Sequence, residues 1–163
     1  QKYKQMKHWL IYTLSLGFAA YWASNLLLWF PWSYSTTLGI TLMLTLAPFI
    51  WAYSTYLALK TYPQKNLIKA ALLISLFFIP LAVGMDYVFF GLIRNAMEQL
   101  YHPTTFYGYG FLLFLPVVLA LILKYRRVQI GYEIKKTAIL RALLSGMACL
   151  GILGVVILLG ISV

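Results

Sequence analysis

The stretch LIKAALLISLFFIPLAVGMDYVFF, residues 67–90, decides the fold of this chain. Between Lys69 and Asp86 it contains 16 consecutive residues without a charged side chain. An α-helix rises 1.5 Å per residue, so about 20 apolar residues cross the hydrocarbon of a bilayer. We therefore predict that this stretch is a membrane-spanning helix.

Four similar apolar runs lie on either side of it and predict further spans, at residues 9–30, 38–59, 107–123 and 137–162. The chain is 63% hydrophobic and 10% charged, with a mean hydropathy of +0.84. Soluble domains are typically about 45–50% apolar and about 25% charged. We predict an all-α polytopic membrane protein with one domain, residues 1–163, and five transmembrane helices. Short connections make consecutive helices antiparallel neighbours.

The basic residues predict the orientation of these spans. Twelve of the 13 Lys and Arg residues fall on one side of the five-span arrangement, and only Arg94 falls on the other. Because short loops rich in Lys and Arg resist translocation, we expect the N-terminus in the cytoplasm and the C-terminus outside. We expect the membrane to be a bacterial inner membrane, with anionic headgroups attracted to the basic face.

Other classes of partner find little support in the composition. The net charge of +10 does not predict nucleic-acid binding, because the basic residues occupy gaps between apolar runs rather than a stripe on a polar surface. Cys149 is the only cysteine, so no intrachain disulfide is expected. His8 and His102 belong to opposite faces of the membrane, which excludes a haem held by both. No cofactor and no metal are predicted.

The connection after residue 90 has a helical pattern. Leu92, Ile93, Ala96, Met97 and Leu100 recur at spacings of three and four residues. We predict that the third helix extends beyond the membrane on the outer side to about Tyr101. Pro103 then ends it, since the residue before a proline avoids helical angles.

Polar residues on this extended helix form the candidate ligand-binding site. Asp86, Arg94, Glu98 and His102 are separated by eight, four and four residues, so a continuous helix would place them on one broad face. Arg94 is the expected partner of Asp86, followed by Asn25, Tyr21 and Tyr12 of the first span. The candidate set is Asp86, Arg94, Glu98, His102, Tyr107 and Asn25.

Four interpretations of this cluster stay open. It is an ion-pair network that fixes the third helix, a binding site for a lipid headgroup or small polar ligand, a metal site using Asp86, Glu98 and His102, or an acid–base catalytic site. No nucleophile motif accompanies the carboxylates, and no catalytic residue is assigned. An ionisable residue inside a membrane span is by default a functional candidate.

Three prolines lie near the middle of successive spans. Pro48, Pro80 and Pro116 each remove one helical hydrogen bond and free the carbonyl four residues earlier, on Leu44, Leu76 and Leu112. In hydrocarbon these carbonyls need a partner, which Thr45 and Ser75 can supply. The prolines predict helix kinks, which either only bend the bundle or enclose a cavity.

Small residues in the fifth span predict a packing face. Ala142, Gly146, Gly151 and Gly154 permit close helix approach, either within the chain or with a partner subunit. Taken together, these features predict a binding or accessory subunit of the membrane without catalytic activity. A small-solute or ion transporter gated by the kinked spans is the alternative, and a lipid-modifying enzyme at the outer leaflet is a third possibility.

Overall fold

The computed structural model describes residues 2–159 and, within that range, all side chains except those of residues 2, 30, 32 and 33. The regular elements in this range are helices: α1 Lys2–Tyr34, α2 Thr36–Leu44, α3 Leu46–Lys60, α4 Leu67–Asp86, a π-helix Tyr87–Ile93, a 3₁₀ helix Met97–Tyr101, α5 Pro103–Tyr125 and α6 Lys136–Leu158.

Five helical stretches are long and apolar enough to cross a membrane, which confirms the predicted number of spans. They are Tyr3–Trp29, Thr36–Lys60, Leu67–Ile93, Pro103–Tyr125 and Lys136–Leu158. The predicted end of the last span, at residues 160–162, lies outside the described residues. We treat the chain as a multi-pass membrane protein with these spans.

The second span is two helices rather than one. Thr45 separates α2 from α3, three residues before Pro48, whose missing N–H would have bonded the carbonyl of Leu44. The Thr45 hydroxyl donates to the carbonyl of Thr41 at 2.7 Å rather than to that of Leu44. The first connection also differs from the prediction, because α1 continues through Pro31 to Tyr34 and leaves only Ser35 outside a helix.

Contacts at one end of the bundle bring together the three chain segments that contain most of the basic residues, and we call this end the basic end. Trp9, near the start of α1, is fully buried and donates its indole N–H to the carbonyl of Ala58 at 2.8 Å. The connection before α6 returns to the same place, where Gly131 donates its backbone N–H to the carbonyl of Lys60 at 2.9 Å. The start of the chain, the 61–66 connection and the 126–135 connection therefore meet at this end.

The core between α1, α3, α4 and α5 is close-packed. Phe78 of α4 is fully buried and packs edge-on against Trp51 of α3, with 5.4 Å between the ring centroids. Gly17 of α1 admits this ring, because a Cβ there would lie 2.9 Å from it. Ser75 of α4 donates to the carbonyl of Leu113 in α5 at 3.0 Å. This carbonyl is next to that of Leu112, which Pro116 is predicted to free.

Helix α6 docks mainly on α1. Gly146 makes this approach possible, since a Cβ there would lie 2.5 Å from the Phe18 ring and 3.1 Å from the Cα of Ala19. Ala142 is also buried, whereas a Cβ added to Gly151 or Gly154 would meet no other atom within 4 Å. The predicted packing face is therefore divided: its first half contacts this chain and its second half is open.

Candidate functional site

The third span ends differently from the prediction. It continues from α4 into the π-helix and ends at Ile93, so the predicted helix to Tyr101 is wrong. Asn95 has a φ of 49°, and Ala96 donates its N–H to the carbonyl of Phe90 at 2.7 Å, which closes a wide turn. Asparagine is one of the few non-glycine residues that enter this left-handed conformation readily, and it commonly terminates helices.

The turn folds the chain back onto the end of the third span. A Cβ on Gly91 would lie 3.0 Å from the sulfur of Met97, so the glycine allows the 3₁₀ helix to approach. Asp86, Arg94, Glu98 and His102 consequently do not share one helix face, and the predicted cluster separates into two regions. We call Tyr21, Asp86 and Tyr109 the Asp86 centre, and Arg94, Glu98, His102 and Tyr107 the rim.

Asp86 is the middle of the first region. Its side chain is 9% exposed and accepts two hydrogen bonds, from the hydroxyl of Tyr21 in α1 at 2.5 Å and from the hydroxyl of Tyr109 in α5 at 2.6 Å. The two phenols bind different carboxylate oxygens. One side chain near the end of α4 thus connects three membrane-spanning helices.

These two hydrogen bonds leave some acceptor positions of the carboxylate unused. An ionised carboxylate has about four acceptor positions, and the phenols use two of them. A phenol also orients the carboxylate without neutralising its charge. In a membrane-spanning segment such a group is stabilised by a proton or by a positively charged partner. The arrangement is therefore suited to receive a cation or a hydrogen-bond donor.

Aromatic rings enclose the centre on the side of α1 and the π-helix. Trp22 is 1% exposed and lies edge-on to Tyr21, with 5.0 Å between centroids, and to Phe89, with 6.2 Å. Phe89 also packs edge-on against Trp29 at 5.9 Å. These rings pack against Tyr21, one of the two partners of Asp86. The Trp22 indole N–H is buried there without a partner among the described residues.

Arg94 does not pair with Asp86 as predicted. Its guanidinium lies over the ring of Trp29, 3.5 Å from the centroid, and Nη1 donates to Oε1 of Gln99 at 2.5 Å. Burial lowers the pKa of Arg94 to about 10, which leaves the side chain charged at neutral pH. The π-helix between the two residues explains the difference, because its wider turn changes the angle of Arg94 around the helix axis relative to Asp86.

The remaining rim residues are separate from the Asp86 centre. Glu98 is exposed on the 3₁₀ helix, and Tyr107 is 77% exposed. His102 is the N-cap of α5, and its Nδ1 lies 2.9 Å from the hydroxyl of Thr104. Asn25, which is outside the rim, donates to the carbonyl of Tyr21 in its own helix at 3.0 Å and so lies beside one partner of Asp86.

Tyr109 is the residue that sequence reasoning missed in favour of Tyr107. Tyr109 lies three residues before Leu112 and seven before Pro116, both buried, so it belongs to the inward stripe of α5. Tyr107 is two residues away, which turns it about 200° around the helix. The sequence carries no sign of this difference, because nearly every position along α5 is apolar.

Within residues 2–159, His, Cys, Asp and Glu side chains form no group of three or more that could hold a metal ion. Comparison of the chain with protein-family models, with curated proteins and with solved structures found no match.

Proposed function

We propose that this protein is a binding or accessory subunit of the membrane, in which Asp86 recognises a positively charged or hydrogen-bond-donating group of a ligand, lipid headgroup or partner helix. The observation that supports this proposal most is the burial of Asp86 together with the identity of its hydrogen-bond partners. It is buried in a membrane span, and both of its hydrogen bonds within the described residues come from neutral phenols. A carboxylate held in this way lacks the positive partner that a purely structural ion pair would provide.

The surroundings of Asp86 suggest that a ligand or partner helix can reach it from the surrounding lipid. Tyr109, which covers one carboxylate oxygen, is only half-buried. Added Cβ atoms at Gly108 and Gly110, on either side of Tyr109, would meet no other atom within 4 Å, so the surface of α5 beside Tyr109 is open. A partner group can approach between α4 and α5 and replace the Tyr109 hydroxyl at the carboxylate.

The orientation is part of the same proposal. The basic end faces the cytoplasm, and Asp86 and the rim lie towards the outside of a bacterial inner membrane. The support is the distribution of charge, because the three basic segments meet at one end while Arg94 lies near Trp29. Gly151 and Gly154 on α6 offer an open face for a partner subunit.

The geometry favours the two alternatives less. A gate of kinked spans needs the prolines around one cavity, but Pro116 is buried, Pro48 is half-buried and Pro80 is exposed on the outer surface of the bundle. An acid–base catalytic site needs its acid and its base within hydrogen-bond reach, about 3 Å, of the same bound substrate. Asp86 bonds tyrosines and His102 lies beside Thr104.

The test is a comparison of what copurifies with the full chain in lipid nanodiscs. Asp86→Asn keeps the size of the side chain and removes its charge, and Glu98→Gln makes the same change on the rim. We expect Asp86→Asn to lose at least one small molecule, lipid or protein that wild type and Glu98→Gln both retain, as identified by mass spectrometry. Gly151→Leu in the same comparison tests the open face of α6.

Dodecyltrimethylammonium supplies a direct probe, with dodecanol as its uncharged counterpart. We expect the ammonium to raise the melting temperature of wild type and not that of Asp86→Asn, while dodecanol affects both equally. Identical copurifying molecules and identical responses to the two amphiphiles, in a variant that elutes and melts like wild type, would refute the proposal.

A further inference from the structure

Two fully buried threonines inside the bundle have hydroxyl groups without a hydrogen-bond partner among the described residues. They are Thr13 of α1 and Thr55 of α3, and both side chains are 0% exposed. A buried hydroxyl without a partner is costly, and more so in a membrane-spanning segment, where the surrounding lipid offers no hydrogen bond. Each of these hydroxyls therefore needs a partner inside the protein.

Threonines elsewhere in the chain satisfy their hydroxyls within their own helix. Thr41, Thr45 and Thr61 each donate to the carbonyl four residues earlier, at 2.8, 2.7 and 2.8 Å. This bond is the common way for a helical threonine to satisfy its hydroxyl. Thr13 and Thr55 do not make it, which leaves both hydroxyls available to a group between the helices.

Thr13 lies at the junction of α1, α3 and α4. Four residues earlier, Trp9 donates to the carbonyl of Ala58 in α3. Four residues later, an added Cβ on Gly17 would lie 2.9 Å from the ring of Phe78 in α4. Because positions four residues apart share one helix face, Thr13 lies between a contact to α3 and a contact to α4.

Thr55 occupies the matching position on α3. Three residues later, Ala58 meets α1, and four residues earlier, the ring of Trp51 lies 5.4 Å from that of Phe78 in α4. Since α1 and α3 belong to successive, antiparallel spans, Thr13 and Thr55 lie about 6 Å and about 4.5 Å from the same end of this seam, where Ala58 accepts its bond. The two hydroxyls therefore lie at nearly the same depth in one junction.

We propose that Thr13 and Thr55 bind a water molecule buried in this junction. Water both donates and accepts, so one molecule can bond both hydroxyls, and main-chain carbonyls of the preceding turns can supply the third bond that buried water typically makes. A cation fits less well, because neutral hydroxyls do not balance its charge. Thr13 precedes Tyr21 by eight residues, about 12 Å, so this site is separate from the Asp86 centre.

The bound water connects α1 to α3, and a cycle of valine substitutions tests this connection. Valine has nearly the shape of threonine but no hydroxyl. In reversible unfolding of the full chain in mixed micelles with sodium dodecyl sulfate, we expect Thr13→Val and Thr55→Val each to raise the unfolding equilibrium constant about fivefold, because the remaining hydroxyl loses its bridge. We expect the double variant to stay within about twofold of wild type, since no hydroxyl is then left unsatisfied.

Thr61→Val is the matched control for the cycle. Its hydroxyl bonds the carbonyl of Leu57 in its own helix, so it shares no partner with Thr13. We expect the effects of Thr61→Val and Thr13→Val on the unfolding equilibrium constant to multiply in the double variant, as for independent groups.

Solid-state NMR of the full chain in lipid bilayers detects the water directly, as magnetisation transfer from water to assigned side chains. We expect transfer to Thr13 and Thr55 in wild type and none to Leu153, which is fully buried on α6. Thr13→Val removes the transfer to Thr55, whereas Thr61→Val leaves it in place. Asp86→Asn also leaves it in place, which separates this test from that of the Asp86 site.

The proposal fails if wild type shows no transfer from water to either threonine, because the hydroxyls would then bond each other or their own helices. It also fails if both single valine variants are more stable than wild type, because the hydroxyls would then be buried dry and without a partner. Effects of Thr13→Val and Thr55→Val that simply multiply in the double variant would show two independent groups and contradict a shared water.

Discussion

Asp86 and Glu98 are carboxylates only 12 residues apart, yet they lie in opposite kinds of environment. Asp86 is buried, and its partners come from positions 65 and 23 residues away in the chain. The rim is more exposed and its hydrogen bonds are local: Arg94, which also stacks on Trp29, bonds Gln99, five residues on, and His102 contacts Thr104, two residues on. The Asp86 centre is thus a product of helix packing, and the rim is a product of a turn.

This difference has consequences for stability and for movement. Loss of a group in the centre leaves buried partners unsatisfied on two other helices, which is costly in hydrocarbon. When a group in the rim is lost, its former partner forms a hydrogen bond with water or with a lipid headgroup instead. The centre therefore depends on the assembled bundle, whereas the rim can rearrange around a fixed bundle.

The largest effect is expected for Asp86→Ala. It removes at once the acceptor of the buried Tyr21 phenol and of the half-buried Tyr109 phenol, so we expect a loss of about 2–4 kcal/mol in the free energy of unfolding. The measurement is reversible unfolding in mixed micelles titrated with sodium dodecyl sulfate. Glu98→Ala is the matched control and is expected to stay within about 0.5 kcal/mol of wild type. Equal effects of the two substitutions would contradict the division into centre and rim.

A smaller effect is expected for Tyr21→Phe. The ring and its packing against Trp22 remain, and only the hydrogen bond to the carboxylate is lost, so we expect about 1–2 kcal/mol of destabilisation. Tyr107→Phe removes the same hydroxyl from an exposed position and is expected to change stability by less than about 0.3 kcal/mol. A Tyr107→Phe variant as unstable as Tyr21→Phe would show that the rim is packed in the membrane.

The spans were predictable from the sequence because apolar length is a property of single segments. The run at 67–90 and the four others are found as helices, and the orientation indicated by the charge pattern stays a prediction. Neither prediction depends on how helices face one another. Both follow from the transfer of side chains and backbone into hydrocarbon.

The partners of Asp86 were not predictable in the same way. In a soluble helix the apolar stripe reveals the buried face, but in α5 almost every residue is apolar, and Tyr109 looks no more inward than Tyr107. Depth along the axis favours Asn25 over Tyr21 as a partner of Asp86, but the phenol of Tyr21 reaches farther than the amide of Asn25. The end of the helix did have a signal in Asn95, which the apolar periodicity of residues 92–100 concealed.

Asn95 separates the two regions, and replacing it gives the smallest and most selective effect. Asn95 has a φ of 49°, a left-handed conformation that costs alanine about 1 kcal/mol because alanine has a Cβ and no side-chain hydrogen bond to compensate. We therefore expect Asn95→Ala to weaken the turn. Asn95→Gly is expected to keep it, because glycine adopts this conformation without strain. Amide hydrogen exchange of residues 94–101 is then about fivefold faster in Asn95→Ala and unchanged around Asp86. If the faster exchange also reached residues 82–90, the turn would be holding the Asp86 centre in place, and the rim would have to be counted as part of the site.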